Sequence, residues 1–111
     1  NFLLEQLSPI GPVRARGMFG GHGVYLEDLM FGLIADETLY FKVDDGNRSF
    51  FEQLDLPPFT YEKNGKPFAM SYFMAPPDAL ESSEELCQIA QQAFAAAMRQ
   101  RKPSKNKERK N

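Results

Sequence analysis

The 111-residue sequence predicts an α+β fold: a single domain in which one antiparallel sheet carries helices packed on one face. Three observations lead to this prediction. Apolar and polar residues alternate over 39–43, as they do in a half-buried strand. The dipeptide at 64–65 is Asn-Gly, a typical hairpin turn, between two apolar segments. Apolar residues recur every three or four positions over 86–97, which indicates an amphipathic helix.

The first half of the chain predicts one helix followed by three strands. Residues 2–8 are mostly apolar and end at Pro9, which favours a short helix that stops there. Residues 13–27 are expected to form one extended strand. Acidic turns at 27–28 and 36–37 then separate it from two further strands.

The segment 45–54 is predicted to be the second helix. Asp44 or Asp45 is its expected N-cap, because a carboxylate can accept the free backbone N–H groups of the first turn. The buried side of this helix is expected to consist of Phe50, Phe51 and Leu54.

A hairpin and a final helix complete the predicted order α-β3-α-β2-α. Asn64 and Gly65 should close a two-residue turn between strands at 59–63 and 66–73, since both turn positions require positive φ. The pattern S-x-x-E at 82–85 is a capping box, and it predicts the start of the last helix.

Charge divides the chain into a domain at 1–98 and a tail at 99–111. The tail is predicted to be disordered, and it carries a net charge of +6 from one acid and seven basic residues: Arg99, Arg101, Lys102, Lys105, Lys107, Arg109 and Lys110. The rest of the chain carries −8, from six basic and fourteen acidic residues. An acidic body repels phosphate backbones, so any contact with nucleic acid is expected in the tail and independent of base sequence.

Gly20, Gly21 and Gly23 form a cluster that invites comparison with phosphate-binding loops. The spacing matches neither a Walker loop nor a dinucleotide fingerprint, because no lysine follows as required and Leu26 occupies the place of the third glycine. Glycines within a strand more often mark a bend or a bulge. We therefore expect them to shape the first strand, with at least one at positive φ, and to bind no ligand.

Other chemical groups give no catalytic pattern. His22 has no cysteine or histidine ligand near it in sequence, and Cys87 flanks the apolar stripe of the last helix. The acid pairs 44–45 and 84–85 lie at helix starts, where carboxylates favour the positive end of the dipole. The sequence predicts no catalytic residue, no metal and no cofactor.

Three ordered motifs resemble the N-terminal domain of the TfoX/Sxy competence-regulator family: RGMFGGHGVY at 16–25, LYFKVDDGNR at 39–48 and FTYEKNGKPFAMSY at 59–72. The resemblance runs from about Leu7 to Met98. It implies an α-β3-α-β2-α fold, no enzymatic activity, and a role in transcription of DNA-uptake genes together with the cyclic-AMP receptor protein. Longer members of the family continue into a second helical domain, whereas this sequence continues into the basic tail.

Two functional hypotheses follow. The first is a non-enzymatic protein-interaction domain that regulates the transcription of competence genes. The alternative is a nucleic-acid-associated protein that binds DNA weakly through its basic tail. A single cysteine and the absence of an apolar segment of about 20 residues favour a cytoplasmic protein without membrane contact. The sequence does not indicate an oligomeric state.

Overall fold

The computed structural model describes residues 2–18 and 20–101, and in this part of the chain it contains helices and antiparallel strands. The elements in this part of the chain are α1 (Phe2–Leu7), β1 (Arg14–Met18), β2 (Gly21–Leu26), β3 (Leu29–Ala35), β4 (Thr38–Lys42), α2 (Arg48–Gln53), β5 (Pro58–Lys63), β6 (Lys66–Met74) and α3 (Ser83–Gln100). Short 3₁₀ turns at Ser8–Ile10 and Pro77–Ala79 precede β1 and α3. The predicted α+β class is confirmed.

The strands form one sheet in the order β1-β2-β3-β4-β6-β5, and every neighbouring pair is antiparallel. Four strands that follow one another along the chain thus pair in sequence, and the β5–β6 hairpin joins them through β6. That junction is short: β4 pairs with β6 from Tyr40↔Met74 to Lys42↔Tyr72. The outer half of the hairpin therefore extends beyond the end of β4.

The segment 13–27 contains two strands, so the prediction of a single bent strand is wrong. β1 and β2 pair as a hairpin with Met18 opposite Gly21, which makes the observed order α-β4-α-β2-α. Gly20 lies between the two strands with φ +71°, a backbone conformation that costs an L-residue about 1–2 kcal/mol. The expected positive φ is thus present, and it supports a chain reversal rather than a bend.

The three turns predicted at acidic or Asn-Gly dipeptides are all two-residue hairpin turns. Both central residues have positive φ in each of them, at 27–28, 36–37 and 64–65. Positive φ at both positions matches the right-handed twist of the flanking strands. Asn-Gly tolerates this conformation easily, whereas the two acidic turns adopt it without a glycine.

Helix α2 is shorter than predicted, and its N-cap is neither Asp44 nor Asp45. It begins at Arg48, with Asn47 at the N-cap position. The Asp44 carboxylate instead accepts the Gly46 N–H at 2.8 Å, and the buried Asn47 amide donates to the Lys42 carbonyl at 3.0 Å. These bonds form a turn ahead of the helix.

A six-residue helix presents one short face to the core, which corrects the predicted buried side of α2. Phe51 is buried, but Phe50 and Leu54 are 41% and 51% exposed. The Phe51 ring packs against Phe73 of β6 at 5.9 Å between centroids. One aromatic side chain thus fixes α2 to the sheet.

Helix α3 covers β3 and β4, and the core lies between them. Phe31 is fully buried there, 6.5 Å from the Phe41 ring and 6.2 Å from Phe94 of α3. The helix turns three small residues toward the sheet, which lets the two elements approach closely: Ala90, Ala93 and Ala97.

The two ends of α3 test the predicted cap at 82–85 and the predicted start of the tail at 99. Ser82 is the N-cap, and its hydroxyl oxygen accepts the Glu85 N–H at 3.2 Å, as the capping box predicts. At the other end the helix continues to Gln100, so Arg99 lies within it rather than in a separate tail. Residues 102–111, which hold most of the predicted basic tail, lie outside the described residues.

Candidate functional site: the open face of the sheet

Strand alternation divides the sheet into a covered face and an open face. Val24, Leu39 and Phe41 point toward α3 and belong to the core. Their neighbours in sequence point the opposite way, and among the described residues α3 packs on the covered face alone. We call this second surface the open face; it carries Met18, Tyr25, Leu33, Tyr40, Phe59, Tyr61, Phe68 and Met70.

A groove of about 520 Å³ lies on the open face. Leu33 of the central strand β3 is buried at its base. Met18 comes from one edge strand and Tyr61 from the other, so the twisted sheet curves around the groove. The remaining lining is largely apolar, with one acid and one base at its edge: Ala35, Phe59, Met70, Glu62 and Lys63.

Aromatic side chains form one wall of the groove. Phe59 meets the Tyr40 ring edge-on at 5.2 Å between centroids. On the outer part of the hairpin, Tyr61 stacks beside Phe68 at 6.0 Å, and these side chains are 43% and 45% exposed. Large rings left this exposed are typical of contact surfaces.

Basic residues of the strands gather on the open face. They are Arg14, Arg16, Lys42, Lys63 and Lys66. Arg14 of β1 pairs with Tyr25 of β2. In the β5–β6 hairpin Lys63 pairs with Lys66, and this pair lies two positions along the strands from the stacked pair of Tyr61 and Phe68. The described strands contain one acidic residue, Glu62; the other acids of the domain lie in turns, loops and helices.

Two of these cations rest on aromatic rings. The Arg16 guanidinium carbon lies 5.2 Å from the centre of the Tyr25 ring, and Lys42 Nζ lies 5.1 Å from the Tyr72 ring. These contacts hold the charges against the sheet. They also occupy one face of each ring.

Lys42 and Tyr72 form the polar junction between β4 and β6. Lys42 is buried, and its ammonium donates to the Ser71 hydroxyl at 2.7 Å. Burial lowers the pKa of Lys42, while the nearby Asp44 carboxylate acts in the opposite direction. Burial raises the pKa of Tyr72 to about 12, and its hydroxyl donates to the Met30 carbonyl at 3.3 Å. Both groups anchor strands at the base of the hairpin.

The predicted glycines lie beside the groove. Gly21 lines it directly, and a Cβ there would overlap the main-chain carbonyl oxygen of Ile34. A Cβ on Gly23 would lie 3.0 Å from Met30 Sδ and 3.1 Å from Met18 Sδ. These glycines therefore permit close strand pairing and leave room for the two methionines. Asn64 and Gly65 form the tip of the β5–β6 hairpin.

Of the predicted tail cations, Arg99 and Arg101 lie in the described part of the chain. Arg99 is paired within the domain: its Nε and one terminal nitrogen donate to the two Asp44 carboxylate oxygens at 2.6 and 2.7 Å. This hydrogen-bonded pair lowers the pKa of Asp44 to about 2. Lys102, Lys105, Lys107, Arg109 and Lys110 lie outside the described residues.

The remaining candidate groups are dispersed. His22 is exposed on β2, whereas Cys87 is buried and its thiol donates to the Gln6 carbonyl at 3.3 Å. Over residues 2–18 and 20–101, no three His, Cys, Asp or Glu side chains come together in a way that could hold a metal ion. Within the same ranges no helix has the length and apolarity to cross a membrane.

The family model described as the TfoX N-terminal domain matches residues 5–97, which is most of the chain. The chain belongs to the TfoX N-terminal domain family. All three sequence motifs that resemble TfoX/Sxy proteins lie within the match.

Individual relatives agree with this assignment. Protein Sxy of Escherichia coli is 20% identical over 95% of this chain, and DNA transformation protein TfoX1 of Aliivibrio fischeri is 30% identical over 89%. The matches cover 50% and 47% of those proteins, so the chain spans about half the length of these curated relatives. An uncharacterised 12.7 kDa protein of Spirochaeta aurantia is 29% identical and is matched over 85% of its own length.

Proposed function

We propose that this TfoX domain is a non-enzymatic protein-interaction module that controls the transcription of DNA-uptake genes, and that the open face is its contact surface. The observation that carries the proposal is the apolar groove with its exposed aromatic wall. A relative named DNA transformation protein TfoX1 supports the link to DNA uptake. Exposed apolar surface of this kind marks interaction sites in soluble proteins.

The composition of the groove favours binding over chemistry. Its surface is built from leucine, alanine, methionine and aromatic side chains, with charges at one edge. Methionines such as Met18 and Met70 adapt their shape to an apolar partner. Lys42 and Tyr72, the polar groups at the β4–β6 junction, are engaged in hydrogen bonds that join strands.

A genetic experiment tests this function. Tyr61→Ala is introduced into the full-length chromosomal gene of the organism that encodes the chain, and DNA-uptake transcripts are measured together with transformation frequency. We expect transcription to fall about tenfold, because one exposed aromatic anchor can contribute more than 1 kcal/mol to an interface. Phe50→Ala is the matched control, since Phe50 is similarly exposed but lies on α2, away from the open face.

Immunoblots must show equal protein levels for both variants. Unchanged transcription with Tyr61→Ala at equal protein level would remove the open face from the proposal. A transcription factor such as the cyclic-AMP receptor protein is the partner that the family resemblance favours. Anisotropy titration of the purified receptor, with cyclic AMP, onto the labelled chain measures that contact directly, and Tyr61→Ala should weaken it.

The second candidate function is weak DNA binding through the basic C-terminal segment. The supporting observation is five basic residues and one acid within residues 102–111. Duplex DNA is titrated against the full chain and against a version that ends at Arg101, at low and physiological salt. This hypothesis expects binding that the truncation abolishes and that falls steeply with salt, as counterion release requires. Equal binding by both versions would reject it.

A further inference from the structure

We propose that the groove accepts an acidic amphipathic helix of a partner protein, with apolar side chains in the groove and carboxylates against the cations on either side. The inference rests on the proposed interaction function and specifies the chemistry of the partner. It comes from the way in which charge is distributed between the two faces of the sheet.

Charge is segregated by face in this domain. The chain up to residue 98 carries −8, which predicts repulsion of acidic ligands if charge is averaged over the surface. The strands nevertheless present their basic side chains on the open face, and the acids lie in turns, loops and helices apart from Glu62. Arg14 is paired with Asp28 at 3.2 Å and Lys42 is buried, so the positive charge beside the groove comes from Arg16, Lys63 and Lys66. Glu62 also lines the groove, next to Lys63.

The cations lie on opposite sides of the apolar groove. Arg16 of β1 lies two positions from Met18, which lines one side. On the other side Lys63 lines the groove itself, and Lys66 is its cross-strand neighbour. An apolar channel bordered by positive charge on two sides complements a helix whose apolar stripe is bordered by acids. The groove volume of about 520 Å³ can take bulky side chains from successive turns of such a helix.

Other occupants fit less well. The C-terminal segment 102–111 is basic and has no apolar residue, so the cations repel it. The open face of a second copy presents the same positive charge. Single-stranded nucleic acid stacks its bases on aromatic ring faces, and Arg16 already covers one face of the Tyr25 ring.

Peptide display on the full chain tests the inference. Random 16-residue peptides are selected against the immobilised protein, and the bound sequences are compared with the input library. We expect several-fold enrichment of Asp and Glu combined with Leu, Phe, Trp or Met at helical spacing. A labelled peptide from the selection should bind in solution, and its affinity should fall as KCl rises, because salt screens charge pairs.

Variants of the chain then locate the peptide. The double variant Arg16→Glu/Lys63→Glu should weaken binding by at least about tenfold, since it places like charges beside the peptide acids. Arg48→Glu is the control for reversing a charge elsewhere, on α2, and Tyr61→Ala with its control Phe50→Ala tests the aromatic wall. Circular dichroism confirms that each variant is folded.

Each result decides between the possibilities. If the selected peptides bind in the groove but are neutral or basic, the inference that the partner is acidic is wrong, whereas the interaction function is not contradicted. Selected peptides that are insensitive to both open-face variants, or the absence of any selected peptide, would overturn the inference. A dT12 oligonucleotide that displaces the peptide and binds more tightly would reassign the surface to nucleic acid. Failure of the proposed function itself is detected separately, by unchanged transcription with Tyr61→Ala.

Discussion

The covered and open faces of the sheet are built from neighbouring residues of the same strands, yet they have opposite properties. On the covered face Val24, Phe31 and Phe41 are fully buried beneath α3. On the open face Tyr61 and Phe68 remain nearly half exposed, and the strand cations accompany them. The alternation of a β-strand thus places a core and a candidate contact surface one residue apart.

This difference assigns separate tasks to the two faces. Burial of apolar surface stabilises the fold, at roughly 25 cal/mol per Å², and here it is concentrated between the sheet and α3. The open face has apolar surface that folding leaves accessible, and a partner can still bury it. Substitutions on the covered face should therefore act on stability, and those on the open face on binding.

The largest expected difference is between Phe31→Ala and Tyr61→Ala. Phe31 is fully buried between Phe41 and Phe94, so its truncation leaves a cavity and should cost about 3–5 kcal/mol in the free energy of unfolding. Tyr61→Ala loses its stacking on Phe68 and should cost about 1 kcal/mol. Urea denaturation followed by circular dichroism measures both. Equal costs would mean that the open face is a second core.

Two glycines of the β1–β2 hairpin should differ in the cost of an added methyl group, and both costs should be smaller than that of Phe31→Ala. Gly21→Ala would force a methyl group against the main-chain oxygen of Ile34, and it should cost about 1–3 kcal/mol. Gly17→Ala is the control, because a Cβ there meets nothing within 4 Å, and its effect should remain within about 0.5 kcal/mol. Thermal or urea unfolding distinguishes the pair, and similar values for both would contradict the tight β2–β3 approach.

Gly23→Ala tests whether the open face is adaptable. Its Cβ would lie 2.9 Å from Tyr25 Cε1 and about as close to the sulfur atoms of Met18 and Met30, and all three are side-chain atoms rather than backbone. We expect it to cost less than Gly21→Ala and to shift the Met18 methyl resonance in an NMR spectrum. An unfolding cost as large as that of Gly21→Ala would show that Tyr25 and the two methionines cannot move aside.

Local signals in the sequence predicted most of the fold correctly. The turn at Asn64-Gly65 and the helix cap at Ser82 depend on only a few neighbouring residues, through positive φ in the turn and a hydroxyl that accepts a backbone N–H at the cap. Such local features can be predicted from sequence. The error over 13–27 has a physical cause. Glycine-rich strands have a weak alternation signal, and Gly20 allowed a complete reversal where a bend was expected.

The candidate site could not be predicted in the same way, because it depends on strand order and register. Arg16, Lys42 and Lys63 are distant in sequence, and pairing of six strands places them on one face. Net charge concealed this arrangement, since the acids of the turns and helices outweigh these bases in any sum. Alternation of Tyr61 with Lys63 on one side of β5 was a signal present in the sequence, but its meaning requires the fold.

The smallest expected effect concerns the ion pair between Arg99 and Asp44, which lies away from the open face. The Arg99–Asp44 pair connects the end of α3 to the loop before α2, and it lowers the pKa of Asp44 from 3.8 to about 2. A carboxyl whose pKa is lower in the folded state stabilises the fold above its unfolded pKa and loses this contribution as pH falls through the folded value. Arg99→Ala should therefore lower the unfolding midpoint at neutral pH, and the difference from the parent chain should disappear between pH 3.8 and about 2. The shift should be modest, because the two side chains are 49% and 27% exposed and solvent screens them.

Lys63→Ala on the open face is the control and should show no such pH-dependent difference. NMR titration of the Asp44 carboxyl in both variants checks the cause: its pKa should rise in Arg99→Ala and stay low in Lys63→Ala, and an unchanged value without Arg99 would assign the low pKa to the Gly46 hydrogen bond instead.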